Sequence, residues 1–204
     1  MNLRRMQAAI AAQGLRGWLL YDFHGSNSVA RGVLGFQALD PPPKTTRRWF
    51  YWVPASGEPV KLVHRLEPRS LDHLPGRALV YLTWEELERG LADILAGGGS
   101  VAMEVSARAR LPYVSRVDAG TIELVRASGV EVVSSADLAQ RFEGTLDAEA
   151  RLDHRRTGAL LHGIMQAAFQ HARGGNRTAM ELQRWILERF EEAGLHATDP
   201  PTVA

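Results

Sequence analysis

Short apolar runs alternate with segments of helical periodicity through the first two thirds of the chain. Each run is bounded by glycine, proline or polar residues, which is typical of short strands buried in a sheet. The runs predict six β-strands, at residues 17–21, 49–53, 59–63, 78–81, 100–104 and 131–133. The second and third runs flank a loop of five residues that contains Pro54 and Gly57, so we expect these two strands to form a hairpin.

Helices are indicated between the strands by apolar spacing and by capping residues. Thr83 and Glu86 have the spacing of a capping box, and the helix that they open has one apolar face and ends at Gly97. Asn27 is suited to cap a short helix. Further helices are predicted at residues 3–14, at residues 121–127 and after Ser134. The alternation of strands and helices indicates the α/β class.

The pattern changes near Gly144, after which two long helical segments follow. The first covers residues 147–171, and the second begins at a capping box formed by Thr178 and Glu181. Two helices with broad apolar faces cannot bury both faces against each other, so this part needs a further partner surface. We therefore predict one domain at residues 1–144 and an incomplete second unit at residues 145–204.

Charge and composition exclude several classes of protein. The 204 residues carry 24 Lys and Arg against 23 Asp and Glu, a net charge of +1, which argues against a nucleic-acid partner. There is no cysteine, so any metal site would use His, Asp and Glu alone. The sequence contains neither an apolar run of membrane-spanning length nor a secretory signal, and we expect a cytoplasmic protein with no membrane partner.

The sequence contains no phosphate loop, dinucleotide fingerprint, zinc-peptidase helix or serine-nucleophile motif. Three histidines lie on one predicted helix, but at about 100° per residue His154 and His162 are about 80° apart, and His162 and His171 about 180° apart. They cannot converge on one ion. His64 and His73 are expected to form surface ion pairs with Glu67 and Asp72.

Two short segments carry polar residues that suit a binding site. Asp22 and His24 follow the first predicted strand, where they could contact a ligand or, with Asn27, form a capped turn. Arg47 and Arg48 precede a strand with four aromatic residues and could donate to a carboxylate in bidentate geometry, or could be solvated. The aromatic strand itself indicates core packing or a subunit interface.

Several blocks of the sequence resemble a known family, the creatinase, aminopeptidase P and prolidase family of Xaa-Pro metallopeptidases. The blocks that carry the resemblance to its N-terminal domain are residues 18–27, 46–51, 74–76, 101–104, 112–120 and 130–138. The resemblance implies a mixed six-stranded sheet with flanking helices, followed by the first two long helices of a catalytic domain of the pita-bread fold.

The resemblance also implies an activity, the metal-assisted hydrolysis of the bond before a proline, by an Xaa-Pro aminopeptidase or dipeptidase. The family uses two divalent metal ions, manganese, cobalt or zinc, held by two Asp, one His and two Glu. None of these five positions matches a residue of this sequence. We therefore expect no catalytic or metal-ligating residue among these 204, and no hydrolysis by them alone.

For this part of such an enzyme the resemblance implies substrate restriction and assembly. We expect a homodimer or higher homo-oligomer in which Arg47 or Arg48, and after them Asp22 and His24, face the active site of a neighbouring subunit that takes short proline-containing peptides. The alternative is a non-catalytic pseudo-peptidase that serves as a protein-interaction module.

Overall fold

A computed structural model describes residues 2–203, which divide between Thr145 and Leu146 into two compact units. In the first unit the strands are β1 (Gly17–Asp22), β2 (Trp49–Pro54), β3 (Val60–His64), β4 (Arg77–Tyr81), β5 (Ser100–Met103) and β6 (Glu131–Ser134). Its helices are α1 (Leu3–Ala12), α2 (Ser28–Val33), α3 (Trp84–Leu95), α4 (Ala119–Ala127) and α5 (Ala136–Glu143). The second unit contains α6 (Ala148–Arg173) and α7 (Ala179–Glu192).

The six strands form one mixed sheet in the order β4-β3-β2-β1-β5-β6, which confirms the predicted fold class. β2 runs antiparallel to both of its neighbours, β1 and β3, and the other neighbouring pairs are parallel. The predicted hairpin of β2 and β3 is therefore also confirmed. Because β2 alone is reversed, its first residues lie beside the carboxyl ends of the other five strands.

The aromatic strand β2 lies inside the first unit and packs on both faces of the sheet. Trp49 and Tyr51 belong to the apolar cluster on one face, and Phe50 and Trp52 to the cluster on the other face. All four side chains are buried. Successive residues of a strand point to opposite faces, so a strand in the middle of a two-sided core has apolar residues at every position. Of the two predicted explanations, core packing accounts for this strand.

Glu104 is a fully buried carboxylate directly after β5. Trp18 Nε1 donates to Oε1 at 2.6 Å, Asn27 Nδ2 donates to Oε2 at 2.8 Å, and Ser135 Oγ lies 3.1 Å from Oε1. Burial raises the pKa of Glu104, and the three hydrogen bonds oppose that shift. The carboxylate thus links three separate segments of the first unit.

The second unit leaves much of its apolar surface exposed. Its two predicted helices are confirmed, and the capping box of Thr178 and Glu181 opens α7. A groove of about 490 Å³ between α6 and α7 is also lined by the segment that follows them, where Gln183 Nε2 donates to the carbonyl oxygen of Pro201 at 2.8 Å. The large apolar side chains that remain exposed are Leu146, Leu152, Leu160, Leu161, Met165, Phe169, Met180 and Leu187. None of the helices in residues 2–203 combines the length and the apolar character needed to cross a membrane.

Candidate functional site

An open cleft of about 480 Å³ lies in the first unit, at the carboxyl ends of β1, β3 and β4 and beside the start of β2. Open α/β sheets commonly bind ligands outside the carboxyl ends of their strands. The cleft is lined by Tyr21, Phe23, Arg47, Arg48, His64, Tyr81, Leu82, Thr83, Trp84, Asp118 and Thr121. Its wall therefore combines cationic, anionic, phenolic and apolar side chains, and its volume suits a small molecule or a short peptide segment.

The predicted pair Arg47 and Arg48 lies in this cleft. Arg48 is half-buried and Arg47 is exposed. The Tyr81 hydroxyl donates to the backbone carbonyl of Arg48 at 2.6 Å, which fixes the backbone at the start of β2. Among residues 2–203, no carboxylate lies within 4.0 Å of either guanidinium group. The cleft therefore presents two guanidinium groups that no carboxylate of the described residues contacts directly.

Glu67 forms hydrogen bonds to Thr46 and Arg47 and so fixes the segment that carries Arg47. Its carboxylate accepts from the backbone N–H of Thr46 at 2.9 Å, from the Thr46 hydroxyl at 2.5 Å and from the backbone N–H of Arg47 at 3.0 Å. Burial acts to raise the pKa of Glu67, but the hydrogen bonds from Thr46 and Arg47 outweigh it, and the pKa is lowered. The charge of Arg47 also contributes to the lowered pKa of Glu67, although the hydrogen bonds of this carboxylate go to the backbone and to the Thr46 hydroxyl.

Asp118 lines the cleft and caps the N-terminus of α4. Oδ1 accepts from the backbone N–H of Thr121 at 2.8 Å, and Oδ2 accepts from the Thr121 hydroxyl at 2.8 Å and from the Tyr21 hydroxyl at 3.0 Å. Burial acts to raise the pKa of Asp118, but these hydrogen bonds lower it. Burial raises the pKa of Tyr21 and of Tyr81 to about 12, so both phenols are protonated donors at neutral pH.

The rim of the cleft beyond β4 is formed by the start of α3. The predicted capping box is confirmed, since the backbone N–H of Glu86 donates to the Thr83 hydroxyl and Glu86 Oε2 accepts from the backbone N–H groups of Leu82 and Thr83. These backbone hydrogen bonds lower the pKa of Glu86. Trp84 follows as the first residue of α3 and is 63% exposed. Its backbone is held firmly while its indole ring faces solvent.

Asp22 and His24 do not line the cleft, although both are close to it in sequence. The Asp22 carboxylate is fully buried and accepts from the backbone N–H groups of Gly25 and Asn27 at 3.1 and 2.8 Å, and it pairs with Arg31 at 3.4 Å. These contacts form the capped turn that the sequence left open as one of two explanations. His24 is exposed in that turn, with a left-handed backbone (φ 61°).

The predicted surface ion pairs of His64 with Glu67 and of His73 with Asp72 are both wrong. His64 Nδ1 accepts from the backbone N–H of Leu66, while Glu67 bonds to the Thr46 segment as described. His73 packs edge-on against Phe36, and Asp72 pairs with Arg69. In each case a competing donor nearer to the carboxylate takes the place of the histidine. Across the described chain, no three His, Asp or Glu side chains are grouped so as to hold a metal ion.

Most of the cleft could not be predicted from the sequence. Four of its residues carried no expected role, because they belong to elements that are distant in sequence and meet only through the strand order: Tyr21, Tyr81, Asp118 and Trp84. One signal was available for Trp84. A tryptophan directly after the predicted N-cap Thr83 begins a helix at a strand end, where it need not contribute to the core.

The fold is similar to that of several solved peptidase structures. The dipeptidase PepE from Mycobacterium ulcerans matches with a TM-score of 0.57 and 20% identity over 93% of this chain and 48% of its own. Recombinant prolidase from Thermococcus sibiricus matches with a TM-score of 0.56 and 10% identity over 99% of this chain and 57% of its own. The chain thus spans about half the length of these structures.

A shorter solved structure matches the first part of the chain. The N-terminal domain of Xaa-Pro dipeptidase from Lactobacillus brevis matches with a TM-score of 0.50 and 14% identity over 69% of this chain and 99% of its own. No family model matches the sequence, and no curated protein matches it. The resemblance predicted from the sequence is confirmed at the level of the fold, which is that of the N-terminal part of prolidases and dipeptidases.

Proposed function

We propose that this chain is the N-terminal part of a proline-specific metallopeptidase, an Xaa-Pro aminopeptidase or dipeptidase, and that it contributes substrate restriction and homodimer assembly. The observation that carries the proposal is the fold similarity, which extends over 93% of this chain to a dipeptidase about twice as long. The similarity to a separate N-terminal domain of an Xaa-Pro dipeptidase supports the same assignment.

The cleft supports a role in substrate recognition. Arg47 and Arg48 form no ion pair within residues 2–203 and lie in a cleft of about 480 Å³, so a carboxylate of a short peptide is a fitting partner for either guanidinium group. A charge-assisted hydrogen bond of this kind is worth about 1.5–3 kcal/mol. Asp22 and His24 remain a secondary proposal. The buried carboxylate of Asp22 could act only by holding the turn that carries His24.

The hydrolytic step is proposed to depend on residues other than those described. The metal pair of such a peptidase, two manganese, cobalt or zinc ions, needs a cluster of His, Asp and Glu side chains, and residues 2–203 contain no group of three that fits. We therefore propose that the 204 residues hold no metal and do not hydrolyse peptides alone. Catalysis would belong to the rest of a longer protein.

The test uses the natural protein that contains this sequence and peptides with a free or an amidated C-terminus. Changing Arg47 or Arg48 to Ala is expected to raise KM for the free-carboxylate peptides by about one to two orders of magnitude, with kcat little changed, because an interaction made with bound substrate is lost. The amidated peptides should respond little. Arg69→Ala is the control, since Arg69 pairs with Asp72 on the surface outside the cleft. Unchanged kinetics in both cleft variants would refute the assignment.

A further inference from the structure

The edge strand β4 leaves the backbone groups of its outer side unpaired. The sheet ends at β4, and its one neighbour is β3. The backbone N–H of Arg77 and the carbonyl oxygen of Tyr81 both bond to residues that flank β3. Alternate residues of a strand direct their N–H and C=O groups to opposite sides. The groups of Ala78 and Val80 therefore point away from β3, and the part of the chain that the structure describes offers them no partner.

The side chains along this edge are largely apolar and exposed. Val80 is 53% exposed, and the exposed residues Leu82 and Trp84 follow it along the chain. Leu66, just after β3, is exposed as well. These are four of the seven large apolar side chains that the described first unit leaves exposed. An unpaired edge strand with exposed apolar side chains is a template for pairing with another strand.

The opposite edge strand, β6, lacks these properties. It has four residues and begins with the exposed Glu131, whose carboxylate accepts from the Ser100 hydroxyl at 2.7 Å. At its other end the Ser134 hydroxyl donates to the carbonyl oxygen of Val105 at 2.6 Å. Short strands and charged side chains protect a sheet edge from pairing. The two edges therefore differ, and β4 is the one that is open to a further strand.

Two copies of β4 are complementary in an antiparallel register centred on Leu79. In that register Ala78 of one copy lies opposite Val80 of the other. Directly opposite residues of this kind exchange both of their N–H···O=C hydrogen bonds. All of the outward groups of Ala78 and Val80 are then satisfied in both copies, and a twofold axis relates the two strands.

The neighbouring registers satisfy fewer groups. A register centred on Val80 places Leu82 opposite Ala78, but the N–H of Leu82 already donates to Glu86 Oε2 at 2.7 Å. A register centred on Ala78 places Gly76 opposite Val80, and the backbone of Gly76 is left-handed (φ 105°), so it does not continue the strand. The register centred on Leu79 is therefore favoured.

The charges at the two ends of this edge are complementary under the same axis. Arg77 begins β4, and Glu86 lies at the other end, where it accepts from Leu82. Antiparallel pairing about Leu79 places Arg77 opposite Tyr81 of the second copy and so near the Glu86 end of that copy. Within residues 2–203, neither Arg77 nor Glu86 forms an ion pair. The pairing thus brings opposite charges together twice, once on each side of the axis.

We infer that the outer side of residues 77–82 is a self-association surface, which pairs antiparallel with the same surface of a second copy in the register centred on Leu79. One sheet is then continuous across the two copies. The inference rests on the proposed function only for the expectation of a homodimer. It goes beyond that function by assigning the surface and the register.

The first test is sedimentation of the 204-residue chain over a range of concentrations. We expect a reversible dimer with Kd on the order of 10 μM. Val80→Lys should raise this Kd by about tenfold or more, because a charged side chain on an edge opposes pairing. Val80→Pro should do the same by removing an outward N–H that β3 does not use, a position where an edge strand tolerates proline. Thermal unfolding establishes that each variant is folded.

Two variants of matched exposure serve as controls for the sedimentation test. Leu111 is 55% exposed in the first unit outside the β4 edge, and Leu152 is 54% exposed in the second unit. Leu111→Lys and Leu152→Lys should leave the Kd of the dimer within about twofold. Leu152→Lys also tests whether the exposed apolar surface of the second unit causes association instead.

The second test examines the register by cross-linking. The sequence contains no cysteine, so a single introduced thiol reports on one position. Residues that face each other without exchanging hydrogen bonds have Cα atoms about 4.5 Å apart, which a disulfide can span. Leu79→Cys should therefore give a disulfide-linked dimer under mild oxidation, much faster than Leu111→Cys does.

The inference is overturned if the chain stays monomeric at all concentrations or if the dimer persists unchanged in Val80→Lys. A dimer that Leu152→Lys dissociates while Val80→Lys does not would assign the association to the second unit and overturn it equally. Cross-linking of Leu79→Cys no faster than that of Leu111→Cys would overturn the register. None of these measurements uses peptide hydrolysis, so the inference and the proposed peptidase assignment can fail independently.

Discussion

The two units of the chain differ in how completely they bury their own apolar residues. In the first unit, two apolar clusters cover both faces of the sheet, and even the aromatic strand β2 is enclosed. In the second unit, Ala168 is the one apolar side chain described as buried, and large residues such as Phe169 and Met180 are exposed. The first unit therefore contains its own core and its own cleft, while the second presents an apolar surface that its two helices leave uncovered.

The largest expected effect comes from one leucine in each unit. Leu20 is fully buried on β1, and Leu152 is 54% exposed on α6. Leu20→Ala should lower the free energy of unfolding by about 3 kcal/mol, because it removes buried methyl groups and leaves a cavity. Leu152→Ala should change it by about 0.5 kcal/mol or less. Urea denaturation of both variants tests the contrast, and equal losses would show that α6 is buried in solution.

The polar core of the first unit gives the next prediction. Glu104→Ala should lower the free energy of unfolding by about 2 kcal/mol, because Trp18 Nε1 and Asn27 Nδ2 lose their buried acceptor. The exposed Glu123 on α4 provides a control, for which Glu123→Ala should be close to neutral. A neutral Glu104→Ala variant would mean that water or another acceptor reaches this site.

The smallest effect concerns Glu67 and its dependence on pH. The folded-state pKa of Glu67 is lowered, so its contribution to stability is present above the unfolded value of 4.5 and is lost as the pH falls through the folded value. Glu67→Gln should therefore cost about 1 kcal/mol or less near neutral pH, after allowance for its partial exposure, and progressively less in acid. Glu181→Gln changes a fully exposed capping box in the second unit and is the comparison variant. Denaturation curves of both variants, recorded from neutral pH down into acid, measure how the cost depends on pH. A cost of Glu67→Gln that stays constant over this range would contradict the assigned hydrogen bonds.

Local signals in the sequence were sufficient for the elements and insufficient for the cleft. The apolar run before Asp22 and the capping residues Thr83 and Thr178 predicted a strand and two helices that the structure confirms. Each of these features depends on residues that are close to each other in sequence. The cleft depends on strand order, which places Arg48 beside Tyr21 and Tyr81 from three separate segments.

Asp22 shows the other limit of local reasoning. A carboxylate after a strand could have bound a ligand or formed a turn, and the sequence left both open. The structure directs Asp22 to the amides of Gly25 and Asn27 and to Arg31. The two backbone contacts are local, whereas Arg31 lies on the next helix and approaches Asp22 only in the folded state.

The most direct test of the central claim is a peptidase assay on two samples, the 204-residue chain and the natural protein that contains it, with Ala-Pro and longer Xaa-Pro peptides and with added manganese or cobalt. The account predicts metal-dependent cleavage by the natural protein and none by the 204-residue chain. Cleavage by the 204 residues alone would contradict it. A natural protein that holds the metals and cleaves none of these peptides would contradict it equally, and would favour a non-catalytic interaction module.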